Sequence, residues 1–187
     1  MGKISPSREG VIRAAALSGL SGLVSGGVVA VGLRSSADLW GQMVLYLPGG
    51  LFALLALFPL LRGLRFQMLR GLGLLAVSVA THDAAVRLSI AGVDKGSFLL
   101  LISAVGAVAA AVVSVSSALL LGIRTRAPAY AAAVASGAVS GLLIGAPFSS
   151  GASFSDAAET VLIVSGYLVW QCGVATALVS QRGESAA

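Results

Sequence analysis

Charge is scarce in this chain: only 10% of its 187 residues are Asp, Glu, Lys or Arg. A soluble domain of that size cannot cover its surface with so few polar groups. The single cysteine, Cys172, excludes an internal disulfide and a thiolate metal cluster within one chain. The single histidine, His82, argues against a multi-histidine metal or haem site in a monomer. No phosphate-binding loop occurs, so the chain is not expected to use ATP itself. No cofactor is expected. Nor is there a polar stretch long enough to fold as a separate soluble domain.

What the chain has instead is apolar length. It is 57% hydrophobic, and about 20 helical residues cross a hydrocarbon core. Six segments are long enough, roughly 12–33, 39–61, 67–91, 97–122, 128–147 and 157–180. Barrel strands would alternate and run shorter, so the expected fold is all-α, a polytopic membrane protein of six helices. Residues 1–187 then form one membrane domain of three hairpins with short loops.

The charges orient it. Lys3, Arg8, Arg13, Arg62, Arg65, Arg70, Arg124, Arg126 and Arg182 fall on one side with Glu9 and Glu184. Arg34, Arg87 and Lys95 fall on the other with Asp38, Asp83, Asp94, Asp156 and Glu159. The positive-inside rule puts the first side, and both termini, in the cytoplasm. The basic isoelectric point is therefore a topology signal, and no nucleic-acid partner is expected. Ten Arg against two Lys, with abundant Ala and Gly, suggests a GC-rich bacterium and hence its cytoplasmic (inner) membrane. Lys3 to Ala30 has the layout of a secretory signal, but its apolar stretch is long and Gly/Ser-rich, and the topology works without cleavage.

Small residues recur at four-residue intervals in three spans. Ser18, Gly22 and Gly26 mark the first, Gly137, Gly141 and Gly145 the fifth, and Gly106, Ala110, Ser114, Ala118 and Gly122 the fourth. Residues four apart share a helix face, and small ones let backbones approach closely, so these are expected helix-packing seams or a partner interface. The first and fifth sets are offset by a constant 119 residues, the pattern of a parallel internal repeat.

Ionisable groups at membrane depth are functional candidates by default. The third span carries His82, Asp83 and Arg87. Asp83 and Arg87 are four apart and can pair, with Arg87 reaching to the interface, while His82 points about 100° away from Asp83, where it either hydrogen-bonds an adjacent helix or relays a proton. In the second span Pro48 is followed by Gly49 and Gly50, a combination that predicts either a simple kink that improves packing or a break that leaves carbonyls free toward a cavity. Gln42 and Tyr46 lie on one face just before it and are expected to line a cavity. The sixth span opens with Asp156 and Glu159, acids favoured by the helix dipole, and carries Tyr167 and Gln171 on one face deeper in; Glu159, Tyr167 and Gln171 are expected to line a substrate or proton pathway. Two local matches carry nothing. Gly71-Leu-Gly73 has no preceding strand, and the Ser140 context lacks the spacing of a nucleophile elbow.

No pair of groups suggests catalysis, and an enzyme is not expected. The polar groups at depth point to a small transporter or channel for a solute or ion. The alternative is a non-catalytic subunit of a larger complex, for example the substrate-binding part of an ATP-driven importer. Six spans are few for a self-sufficient carrier, so a homo-oligomer or a membrane-complex partner is expected besides the lipid bilayer.

Overall fold

A computed structural model describes residues 8–35, 38–61, 64–92, 97–149 and 153–182. Among them it is all-helical, with six helices long and apolar enough to cross a membrane. They are α1 (Arg8–Gly32), α2 (Asp38–Leu51), α3 (Gln67–Ala91), α4 (Phe98–Leu121), α5 (Ala127–Gly145) and α6 (Asp156–Arg182). α2 runs on without interruption into a π-helical stretch, Phe52–Leu57, and a 3-10 turn, Phe58–Leu61. The apolar spans fall within two residues of the expected limits at each end. Lys3, Arg62, Asp94, Lys95 and Glu184, which enter the orientation argument, lie outside the described residues.

Local chemistry sets several helix ends. Gly122 takes a left-handed φ of 69°, and Ile123 N donates to Ala118 O at 2.8 Å, a Schellman-type stop for α4. Pro128 sits in the first turn of α5, where its missing N–H costs nothing. Ser155 Oγ accepts from Ala158 N at 3.3 Å and caps α6.

The helices form a closed ring. Each packs against its neighbours in sequence, and α6 returns to α1. Neighbours run antiparallel: Gly22 meets Leu168 while Gly26 meets Val164, and Gly106 meets Gly137 while Ile102 meets Gly141. The seams α1–α6, α4–α5 and α5–α6 are the most extensive. Small residues bring these helices together. A Cβ on Gly26 would lie 2.5 Å from Val164 Cα, and one on Gly141 2.8 Å from Ser103 Cα, so these backbones pass at a distance that only glycine permits.

One end of the ring carries the α1–α2, α3–α4 and α5–α6 connections, here called the mouth end. The far half is filled by side chains. Phe52 and Leu57 of the π-helical stretch, Leu74 of α3, Val113 of α4 and Val174 of α6 have no exposed surface. The wider π turn swells α2 where it packs against α1, α3 and α6, and so fills the centre of the ring.

Candidate functional site

The site begins with Pro48. A proline has no N–H, so the carbonyl four residues earlier, that of Val44, loses its α-helical donor. His82 of α3 supplies one: its Nε2 lies 3.1 Å from Val44 O. A carbonyl can only accept, so Nε2 carries the hydrogen. Tyr167 Oη of α6 lies 3.4 Å from the same nitrogen and can therefore only accept a share of that N–H. Its own hydrogen is left over.

Around this bond four rings gather. His82 and Trp170 lie nearly parallel, 22° apart with centroids 6.1 Å apart. Tyr167 meets His82 at 5.7 Å and Trp170 edge-on at 6.3 Å, and Phe52 stacks on Trp170 at 5.6 Å. Aromatic pairs at such separations each contribute about 0.5–1.5 kcal/mol beyond their burial. The cluster lies across the ring and ties α2 with its π-helical continuation, α3 and α6 together.

Above the cluster, toward the mouth end, a cavity of about 870 Å³ occupies the centre of the ring. All six helices contribute to its wall. His82, Ala109, Ser140 and Trp170 are the lining residues farthest from the mouth end on α3, α4, α5 and α6, so they form its floor. Most of the wall is apolar, and among the described residues no Asp, Glu, Lys or Arg lines it. A few precisely placed polar groups in an otherwise apolar concavity of this size is the usual form of a small-molecule site.

The residues singled out from the sequence divide into those at the cavity and those away from it. His82, Tyr167 and Gln42 line it. Pro48 is fully buried beneath it and acts through the carbonyl it frees. Asp83 and Arg87 pair at 2.9 Å on the outer face of α3, away from the cavity, with the Arg87 side chain 60% exposed. Tyr46 faces that pair and is 46% exposed. Glu159 binds Arg34 at 3.6 Å near the mouth, and Arg34 also donates to Asp156 O at 2.6 Å. Gln171 is wholly buried between α6 and α1, its Nε2 donating to Ser25 Oγ at 3.2 Å.

Of the two readings of Pro48, a kink or a break, the break is not there. The helix continues through Gly49 and Gly50, and the irregular stretch starts at Phe52. Gly49 serves close packing instead: a Cβ there would lie 2.6 Å from Ser78 O of α3. Of the small-residue seams, Ser18, Gly22 and Gly26 face α6, whereas Gly137, Gly141 and Gly145 face α4, where Gly106 also lies. Gly106 and Gly141 double as cavity wall. Trp170, Phe52 and Ser140 were not singled out. A signal for the first two existed only in their aromatic and apolar type, which packing residues share.

Comparison with family models, with curated proteins and with solved structures finds no match. The site stands on its own geometry.

Proposed function

We propose that this chain is an integral membrane protein that binds a small solute in the central cavity, as the binding step of its transport. The observation that carries this reading is the cavity itself, roomy and floored by the aromatic cluster. Membrane insertion is supported by the apolar outer surface, where Leu100, Val108 and Leu119 of α4 and Met68, Leu69 and Leu72 of α3 are exposed. The six spans then read as three hairpins. With both termini in the cytoplasm, the mouth end faces outward.

The filled far half argues for a carrier over an open pore. A solute bound above His82 has no path past Phe52 and Leu57 until helices move, so passage requires alternating access. That movement is driven within the protein, alone or as a homo-oligomer, or by a partner. The closed far half keeps the second reading alive, a solute-binding subunit of a larger complex.

Thermal unfolding of the purified protein in lipid nanodiscs, screened against a library of small metabolites, tests the binding step. A true solute raises the midpoint in a concentration-dependent way. Val105→Trp, which fills the cavity from α4, should remove that rise while leaving the ligand-free midpoint within a few degrees. Stabilisation that survives in the filled variant would place the ligand elsewhere and sink the reading. Purification from native membranes separates the two routes: a stoichiometric membrane partner or ATPase favours the subunit.

A further inference from the structure

The chemistry of the cavity restricts what it holds. We infer that its occupant is an uncharged, lipophilic solute with a hydrogen-bond acceptor at its deep end, received by the Tyr167 hydroxyl. This rests on the solute-site reading above and deepens it.

Three observations converge on that class. The first is charge. Among the described residues the wall carries no formal charge of either sign. Helix dipoles supply none either, since three N-termini and three C-termini alternate around the mouth and their fields oppose one another. An ionised solute would be stripped of water with nothing to pair it, a cost of several kcal/mol per ion in real proteins. The Asp83–Arg87 pair does not help, because it lies on the outer face of α3 and each partner already satisfies the other.

The second is size and surface. A cavity of about 870 Å³ with mostly aliphatic and aromatic walls gains most from burying apolar area. An inorganic ion or a small polar metabolite would leave most of that wall unused.

The third is the donor on the floor. Tyr167 is 4% exposed and lines the cavity. Its contact with His82 uses only its oxygen, because Nε2–H is already directed by the Val44 carbonyl. The phenolic hydrogen thus has no acceptor among the described protein groups. A buried donor left unmatched is costly, and an incoming carbonyl, ether or ring nitrogen would satisfy it. Proline, carbonyl, histidine and tyrosine together form a chain that leaves the Tyr167 hydroxyl as a donor, beside which Trp170 Nε1 is a second buried N–H without an acceptor among the described residues.

The test uses three fluorophores on one ring system: a dimethylaminonaphthalene ketone, its parent without the acyl group, and the matching carboxylate. Binding to the protein in nanodiscs is read against empty nanodiscs by emission shift. The ketone should bind about three- to tenfold more tightly than the parent, the worth of one net hydrogen bond. Tyr167→Phe should abolish that gap while leaving the parent unchanged. The carboxylate should bind on the order of a hundredfold more weakly than the ketone, or not at all. A carboxylate that binds as well as the ketone, or a ketone advantage that persists in Tyr167→Phe, overturns the inference while leaving the cavity as a solute site. Val105→Trp and Val86→Trp, on the adjacent walls formed by α4 and α3, decide the deeper question. If neither weakens any of the three probes, the cavity is not where solutes bind, and the solute-site reading falls with the inference.

Discussion

At the scale of single residues, the decisive relation is between two side chains joined through one backbone carbonyl. Pro48 removes a donor from the helix, and His82 of another helix replaces it at the Val44 carbonyl. The prediction is a thermodynamic coupling between them. His82→Phe keeps a ring against Trp170 but leaves the carbonyl unmatched, and should cost about 1–3 kcal/mol. In a Pro48→Ala background the helix regains its own N–H, and the same substitution should cost about 1 kcal/mol less. Reversible unfolding of the four proteins in detergent measures the difference, and equal costs in both backgrounds would mean that His82 is held for another reason. The sequence marked both residues as unusual at membrane depth, yet it could not join them. Proline names the orphaned carbonyl, four residues back, but which helix supplies the donor is decided only when α2 and α3 pack. For Asp83 and Arg87 the reverse holds: their four-residue spacing made the pair legible, while the face it occupies depends on how α3 is rotated in the ring.

Among the elements, length and apolar content determine a great deal, and the six spans could be placed to within two residues from hydropathy alone. Partners are another matter. A ridge of small residues announces a close approach without saying to whom, and the two ridges related by a constant offset meet different helices, α6 for α1 and α4 for α5. Each nonetheless meets the helix that precedes it around the ring, an equivalence that the spacing alone could not reveal. The π-helical stretch was hidden for a physical reason too, since nothing in Phe-Ala-Leu-Leu-Ala-Leu distinguishes a wide turn from an α-helical one. The close seams imply that one substitution should have opposite signs at two sites. Gly27→Ala in α1 meets nothing within 4 Å and should stabilise by up to about 1 kcal/mol through helix propensity. Gly141→Ala puts a methyl into the backbone of Ile102 and Ser103 and should destabilise by about 1–3 kcal/mol. Thermal midpoints of the two variants, measured in one lipid, check the pair; the same sign at both would show that the α4–α5 seam yields more readily than its geometry implies.

For the whole molecule, the asymmetry between a hollow half and a filled half gives the fold a direction. On the proposed orientation, Arg124 and Arg126 hold the filled half at the cytoplasmic surface, and the cavity faces outward. On that orientation the cavity is the outward-open state, in which an importer loads and an exporter releases, and the opposite insertion would make it the inward-open one. Single cysteines decide between the two insertions against the background of Cys172, which lies partly buried in the α1–α6 seam. Ser153→Cys, exposed at the mouth end before α6, should react with a membrane-impermeant maleimide in intact cells. Thr125→Cys, exposed between α4 and α5 at the far end, should react only after the membrane is opened. The reverse pattern would turn the cavity toward the cytoplasm and break the link between arginine placement and topology on which the outward-facing mouth depends. Labelling of both cysteines in intact cells would go further, since two ends of a six-span ring cannot share one side, and would point to a population inserted both ways.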